Sequence, residues 1–265
     1  AYQDASRAEM KLSVNYSEAL ITLLRASAVE IDAIEWVDKL ELGLIAQRRA
    51  EFPGLAFHFH PGRMQTGKNW RSHLLDYIQA CPESPFVSIH LAPLPALWTN
   101  ARIKRGWVLP GPIPALAIWR FIQSVNVLKQ QVELPVILEN MPSLHPKRYR
   151  FESEPAVINR VMEETQTGLL LDLAHARIAA HARGISSQEY ITALPLEHTQ
   201  QIHLAGVREG SDGQLYDAHE PLMEEDYQLL EWTLERTNPQ LLTLEYFRED
   251  PQALSSQLSR LQSYR

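Results

Sequence analysis

Hydrophobic residues along the chain follow two alternating patterns. Short runs rich in apolar and β-branched residues are typical of strands, whereas apolar residues recurring every three or four positions are typical of amphipathic helices. The strand-like runs lie at 11–17, 31–37, 55–61, 85–92, 135–141, 168–174, 199–207 and 240–247. The clearest helical periodicity lies in residues 17–27, 70–80, 114–130 and 224–236. Pro221 and the acidic Glu224, Glu225 and Asp226 suit the start of the last helix, where carboxylates favour the helix dipole.

This alternation predicts an α/β fold, the (β/α)8 TIM barrel, because eight strands and their helices fill about 250 residues. The alternative is an open doubly wound sheet, but the glycine-rich phosphate loop expected after its first strand is absent. No linker divides the sequence, so we expect residues 10–265 to form a single domain. Residues 1–9 are polar and lack the apolar core of a signal peptide. We interpret them as a non-native extension before a native start at Met10.

Composition narrows the class of protein. The chain has 265 residues, of which 45% are hydrophobic and 22% charged, values typical of globular proteins and not of disordered or membrane-spanning ones. The net charge of -7 and the lack of long Lys/Arg runs argue against nucleic-acid binding. The single cysteine, Cys81, excludes an internal disulfide and indicates a reducing compartment. We therefore expect a cytoplasmic protein without a membrane partner.

Ionisable residues occur near the C-terminal ends of predicted strands, where buried parallel strands normally carry Val, Ile and Leu. These residues are His58, His60, His90, Glu139, Asp172, His203 and Glu245. Two local pairs add to them, Asp172 with His175 and Asp217 with His219, and an extended backbone would point the second pair the same way. Because the C-terminal strand ends of a barrel meet on one face, we expect Glu139, Asp172, His203 and Glu245 to converge.

Such a cluster of carboxylates predicts bound metal, because buried like charges repel one another without cations. Mixed imidazoles and carboxylates exclude a pure magnesium or calcium site, and the lack of thiolates excludes a zinc-finger site. Zinc, iron and manganese remain open. The number of donors exceeds what one ion can hold, so we expect two or three metal ions bridged by carboxylates.

The order His, His, Glu, Asp-x-x-His, His, Asp-x-His, Glu on successive strand ends resembles the xylose-isomerase-like TIM-barrel superfamily. Two of its branches are multinuclear: the endonuclease-IV type of AP endonuclease, with zinc, and a bacterial family of non-heme iron oxidative enzymes. The second branch modifies ribosomally made peptides and includes the methanobactin-biosynthesis oxidase. The segments most similar to it are SIHLA (88–92), VILEN (136–140), GLLLDLAHARIAAHARG (168–184), QIHLAG (201–206), YDAHEP (216–221) and LLTLEYFRED (241–250).

This resemblance implies an iron-dependent oxidative enzyme that modifies a peptide or a small thiol-bearing substrate, with a partner protein encoded nearby. The implied metal ligands are His60, His90, Glu139, Asp172, His175, His203, Asp217, His219 and Glu245. Asn140 would be a ligand or the neighbour of one, and His60 is favoured over His58 because it lies nearer the strand end. The chain departs from the family at EWVDKLELG (35–43), where the family has an acidic-Asn-aromatic stretch, so the role of Glu35 stays open.

Two loop-like stretches follow strands on the same face and carry aromatic and basic residues. The first includes Trp98, Arg102, Lys104, Arg105 and Trp107, and the second includes Lys147, Arg148 and Arg150. Long loops on this face commonly hold substrate, and these could bind an acidic peptide, a phosphate or a sugar phosphate. Ordinary solvated loops are the alternative.

The chemistry also has alternatives. A zinc phosphodiesterase fits the ligand types, although the acidic balance counts against it. A sugar isomerase or epimerase would commonly place a Lys near the metal, and the predicted strand ends carry none. A non-catalytic metal protein is disfavoured, because structural metals occupy closed sites.

Within the cluster, we expect His60 and His90 to share one ion with Glu139 as a bridge. We expect His175, Asp217 and His219 to form another site.

Overall fold

The structure of the protein is a computed structural model that describes residues 10–37, 40–61, 70–94, 111–142 and 147–265. The strands are β1 (Lys11–Asn15), β2 (Ala33–Val37), β3 (Ala56–His60), β4 (Val87–His90), β5 (Val136–Glu139), β6 (Gly168–Asp172), β7 (Thr199–Glu209), β8 (Leu215–Glu220) and β9 (Leu241–Glu245). The helices are α1 (Glu18–Arg25), α2 (Leu42–Glu51), α3 (Trp70–Ala80), α4 (Pro114–Lys129), α5 (Pro155–Thr165), α6 (Leu173–His181), α7 (Ser187–Thr192), α8 (Glu224–Leu234) and α9 (Pro251–Leu261). Short 3-10 turns lie at Lys147–Ser153, Leu196–His198 and Gln262–Tyr264. None of the described helices is long and apolar enough to cross a membrane.

Eight parallel strands form a nearly closed barrel in the order β3-β2-β1-β9-β7-β6-β5-β4, which confirms the predicted fold. In the described chain, side chains link β3 to β4 and to the turn that precedes β4, where the hydrogen-bonded strand path ends. His60 Nδ1 lies 2.7 Å from Ser88 Oγ, and His58 Nδ1 lies 2.6 Å from Ser84 Oγ. Polar side chains inside the barrel therefore contribute to its closure.

Strand alternation decides which residues face the barrel interior. In β3, Phe57 and Phe59 pack outward into the main hydrophobic core, so His58 and His60 point inward. The outer core fills the space between the strands and helices such as α1, whose N-terminus is capped by Ser17 Oγ accepting from the Leu20 amide at 3.1 Å. The outward-facing apolar residues of a strand thus pack against the helices, and the alternate residues point into the barrel, where the site lies.

The barrel interior is apolar on one side and polar on the other. Phe86, Ile137, Leu170 and Leu241 form a small apolar cluster inside the barrel. Barrel interiors are usually filled by such residues all the way round. Here Ser13, Glu35, His58, Ser88, Gln201 and Thr243 are also buried. This polar layer lies beneath the predicted metal ligands, and its contacts are described with the site.

Strand β8 is an addition to the eight strands that the sequence pattern predicts. It pairs antiparallel with β7 to form a hairpin, in which Gly206 pairs with Glu220 but Val207 pairs with Asp217. Two residues of β8 are therefore extra, a β-bulge, and His219 within it takes a positive φ of 50°. The expectation of an extended Asp217–His219 pair is wrong at His219, because the bulge turns the backbone there.

Candidate metal centre

Glu139, the last residue of β5, lies at the middle of the C-terminal mouth of the barrel. Its Oε2 is 3.0 Å from His90 Nε2 and 3.3 Å from His60 Nε2. Its Oε1 is 3.3 Å from His175 Nδ1 and 3.8 Å from His203 Nδ1. One carboxylate thus contacts four imidazoles, which come from β3, β4, α6 and β7.

Two further carboxylates complete the cluster. Glu245 Oε1 lies 3.4 Å from His203 Nδ1, and Glu245 Oε2 lies 3.3 Å from His219 Nε2. Asp217 Oδ2 lies 3.4 Å from both His219 Nε2 and His175 Nε2. Together with Glu139 these residues form a closed ring in which carboxylates and imidazoles alternate. The structure therefore brings strand ends and the β7–β8 hairpin to a single site.

The donor atoms of this cluster fit metal ions better than they fit one another. Buried atoms without a hydrogen-bond partner include Glu139 Oε2, Asp172 Oδ2, His203 Nδ1 and Asp217 Oδ1. Two donor atoms that each lie about 2.1 Å from a shared ion are separated by roughly 3.0–3.4 Å, which matches most of the contacts above. Unpaired buried acceptors are costly, so a cation is the simplest group that would satisfy them.

Among the described residues, three overlapping groups bring one donor atom from each residue within 4.8 Å of one another. They are His60–His90–Glu139, Glu139–Asp172–His175 and His60–His203–Glu245. The first is the pair of imidazoles and the carboxylate that we expected to share an ion. Glu139 and His60 each belong to two groups, so the ligand sets overlap more than the sequence prediction assumed.

Asn140 and Asp172 show how the local fold aims a ligand. The Asn140 Nδ2 donates to Asp172 O at 3.0 Å, and the Asp172 amide donates to Asn140 Oδ1 at 2.8 Å. Asp172 Oδ1 caps α6 by accepting from the His175 amide at 2.7 Å, and His175 Nδ1 lies 2.9 Å from Asn140 O. The Asn140 amide is thus engaged with backbone, and it leaves Asp172 Oδ2 facing the cluster.

Burial and neighbouring charges shift the pKa values of the site residues in opposite directions. Burial raises the pKa of Asp172 to about 7. Burial alone would lower the pKa of His203, but the charges of Glu35 and Glu245 outweigh it and raise that pKa to about 10. Burial opposes ionisation of Glu139 as well, yet the charge of His90 and the closeness of the other imidazoles hold the pKa of Glu139 well below the usual range. Protons therefore balance the carboxylates, and metal must compete with them.

The structure places His58 and Glu35 beneath the cluster. His58 Nε2 lies 3.2 Å from Gln201 Oε1 and 3.8 Å from Glu35 Oε2, and burial lowers the pKa of His58 to about 4. His60, rather than His58, reaches Glu139. Glu35 is fully buried and its Oε2 lies 3.0 Å from His203 Nε2. Both residues contact the site from below, in line with a supporting role.

Sequence reasoning missed Ser88, Gln201 and Thr243, which lie in this polar layer. Ser88 contacts His60, while Gln201 Nε2 lies 2.8 Å from Glu35 Oε2 and 2.9 Å from Thr243 Oγ1. The sequence did contain a signal for these three residues. Each of them lies two positions before a candidate ligand in the same strand, and side chains two positions apart in a strand point to the same face.

The predicted substrate loops are mostly outside the described residues. This applies to Trp98, Arg102, Lys104, Arg105 and Trp107, and to the side chains of Lys147 and Arg148. Arg150 is described, and its Nη1 donates to Ala182 O at 2.8 Å, which fastens the 3-10 turn to the end of α6. Substrate binding by these residues stays a prediction.

Comparison with solved structures identifies the fold class. A D-tagatose 3-epimerase-like protein superposes with a TM-score of 0.64 at 15% identity, covering 96% of this chain and 97% of that one. A xylose isomerase-like TIM barrel protein from Mycobacterium smegmatis, in complex with magnesium, gives a TM-score of 0.61 at 15% identity and covers 97% of both chains. The protein is thus a xylose-isomerase-like TIM barrel with clustered histidines and carboxylates at its C-terminal mouth.

Sequence comparison gives the family within that class. A family profile described as "RiPP precursor modification enzyme MbnB/TglH/ChrH" matches residues 67–263. The chain belongs to this family, as the resemblance predicted. A UPF0276 protein of Rhizobium meliloti is 31% identical over 52% of this chain and 45% of its own length. A UPF0276 protein of Vibrio parahaemolyticus is 26% identical over 63% of this chain and 58% of its own length. The chain spans about half the length of the curated relatives it matches.

Proposed function

We propose that the protein is an iron-dependent enzyme that oxidatively modifies a ribosomally made peptide, with dioxygen as the oxidant. The observation that carries the proposal is the ring of alternating carboxylates and imidazoles, in which Glu139 and Glu245 each contact more than one histidine. Shared carboxylates are how proteins hold neighbouring metal ions, and mixed nitrogen and oxygen donors suit iron.

The chain's own residues would hold and orient the metal ions. His60, His90 and Glu139 form one candidate position, and Glu139 also reaches the group that contains Asp172 and His175. Bound iron would supply electron transfer and Lewis acidity at this mouth. The negative charge of Glu139 and the orphaned Asp172 Oδ2 would offset the charge of the ions.

The site differs in exposure from its floor to its rim, which indicates where a substrate would approach. The side chains of Asp172 and His203 are fully buried, whereas those of His90 and His219 are 25% and 22% exposed. Phe247, 44% exposed, lies with its ring centroid 4.5 Å from that of His219. A peptide side chain would therefore enter between His90 and the His219–Phe247 edge, while the buried floor keeps water out.

A peptide substrate is supported by the family description, and the charge of the mouth supports it over a phosphodiester. The ends of β5, β6 and β9 carry the carboxylates Glu139, Asp172 and Glu245. Arg208, near the end of β7, donates to the carbonyl oxygens of Val207 and Pro221. Several carboxylates at one mouth would repel a phosphate group unless bound metal fully compensated them.

The test is activity with two kinds of substrate. Protein purified anaerobically and loaded with ferrous iron is mixed with a cysteine-containing peptide encoded beside its gene, and oxygen is admitted. The expected result is an oxygen-dependent change in peptide mass, lost in Glu245→Gln. The matched control is Glu197→Gln, because Glu197 is exposed, 73% for its side chain, and lies outside the site. Cleavage of an abasic-site DNA by zinc-loaded protein, with the peptide unchanged, would contradict the proposal.

A further inference from the structure

His203 lies between the candidate metal centre and the polar layer beneath it. The residue is fully buried on β7, and its two ring nitrogens face different groups. Nδ1 faces Glu245 Oε1 at 3.4 Å and Glu139 Oε1 at 3.8 Å, and it has no hydrogen-bond partner. Nε2 faces down the barrel, 3.0 Å from Glu35 Oε2. Only one of the two nitrogens can offer a lone pair to a metal when the ring is neutral.

The hydrogen bonds of Gln201 decide which nitrogen carries the proton. Gln201 Nε2 lies 3.0 Å from His203 Nε2, but its two hydrogens are already donated, to Glu35 Oε2 at 2.8 Å and to Thr243 Oγ1 at 2.9 Å. The His203 Nε2 therefore receives no hydrogen from Gln201. Its remaining partner is the Glu35 carboxylate, which can only accept. Nε2 is thus the protonated nitrogen, and the lone pair lies on Nδ1.

His60, His90 and His219 differ from this arrangement. Each of them turns Nε2 toward a carboxylate of the cluster, Glu139 or Glu245. His60 is held at its other nitrogen by the neutral hydroxyl of Ser88, 2.7 Å away. Within the described residues, His203 alone among these four histidines has a carboxylate at each ring nitrogen, and the carboxylate below it, Glu35, is fully buried.

We infer that Glu35 is a positioning residue that fixes His203 with Nδ1 toward the metal centre and strengthens that nitrogen as a ligand. A carboxylate behind a metal-binding imidazole locks its tautomer and orientation and increases its electron donation. Gln201 and Thr243 hold the same oxygen of Glu35 in place, because both lie within 3.4 Å of Oε2. This inference rests on the proposed metal centre, and it concerns the ligand geometry and not the reaction.

The first test uses the unaltered protein with zinc as the probe. Anomalous diffraction from zinc-loaded crystals should place an ion about 2.0–2.1 Å from His203 Nδ1, with Glu35 at hydrogen-bond distance from Nε2. An ion on Nε2, or on Glu35 itself, would overturn the inference while leaving the metal centre in place. Protein that binds no zinc at all would instead overturn the proposed function.

The second test removes the charge of Glu35 and keeps its shape. In Glu35→Gln, the affinity for the ion beside His203 should fall by about 10–100-fold, while the ion beside His90 keeps its affinity. The matched control is Ser13→Ala, a change in the same buried layer at a hydroxyl without a hydrogen-bond partner. Affinities are measured with zinc against a competing chelator, and the absorption spectrum of the cobalt-substituted protein reports the ligand geometry.

A merely structural role for Glu35 predicts a different outcome. Loss of a packing residue would lower the melting temperature and leave the cobalt spectrum of the folded protein unchanged, which would contradict the inference. The expected result is a changed cobalt spectrum in Glu35→Gln and a wild-type spectrum in Ser13→Ala. If Glu35→Gln does not fold, the zinc position on His203 in the unaltered protein still decides the matter.

Discussion

The site has two halves, which hold their side chains in different ways. The strand-end half comes from the barrel, and the hairpin half comes from the β7–β8 hairpin. His60, Glu139, Asp172 and His203 belong to the barrel, and each is at most 4% exposed. The side chains of Asp217 and His219 come from the β7–β8 hairpin and are 18% and 22% exposed. Barrel strands are fixed by their neighbours and by the helices outside them, whereas β8 pairs only with β7 among the described strands. We therefore expect the strand-end half to hold its metal more firmly, because rigid elements pre-organise ligands better.

Replacing Glu139 should have the largest effect, because this carboxylate contacts imidazoles on both of its oxygens. We expect Glu139→Gln to lower the content of more than one ion, with each affinity reduced at least ~10-fold. Elemental analysis of the purified variant gives the result. A loss confined to one ion would show that Glu139 is not shared and would remove the bridge from the account.

A substitution at a residue that is not a candidate ligand should displace the hairpin half of the site. A Cβ on Gly206 would lie 2.1 Å from the carbonyl oxygen of Glu220, a backbone atom that cannot move without shifting β8. We expect Gly206→Ala to displace the hairpin, to cost about 1–3 kcal/mol in unfolding free energy, and to reduce metal content. The control is Gly54→Ala, where a Cβ meets nothing within 4 Å. Equal metal content in the two variants would refute the dependence on the hairpin.

Removing the hairpin histidine alone should have a narrower effect. We expect His219→Ala to lose about one ion and to leave the ion beside His60 and His90 in place, because neither of those residues contacts His219. The measurement is metal content with a zinc-loaded crystal structure. If the ion beside His90 also disappeared, the two halves would behave as one site.

A change at Asp172 should affect the stability of the metal-free protein. The pKa of Asp172 is raised by burial to about 7, above its unfolded value of 3.8, so the folded state binds more protons between these values. Stability contributed by the protonated form is complete below pH 3.8 and is lost as the pH rises through about 7. Asp172→Asn should remove this loss and stabilise the metal-free protein at pH 8 by on the order of 2–4 kcal/mol. The measurement is denaturant unfolding of both proteins with chelator present, at pH 5 and at pH 8. Equal stabilisation by Asp172→Asn at the two pH values would contradict the prediction.

The sequence predicts the barrel and the strand-end half of the site because both depend on simple rules. Parallel strands end on one face, and polar residues at the ends of otherwise apolar strands, such as Glu139 and Asp172, must meet there. The hairpin was not predicted, because Leu215–Glu220 is half-buried and contains no Val, Ile or Thr. The bulge at His219 depends on the register between β7 and β8, which is a tertiary feature. Long-range pairs such as Glu35 with His203 equally need the folded barrel.

The central claim is that one mouth of the barrel holds several metal ions through shared carboxylates. The most direct test is the metal content of anaerobically purified protein, measured by elemental analysis before and after treatment with a chelator, together with its melting temperature. The account predicts roughly two to three ions per chain, with iron among them. It also predicts a lower melting temperature once they are removed, because a ligand bound only by the folded state stabilises that state. A single ion per chain, or a melting temperature unchanged in protein shown to have lost its metal, would contradict the account.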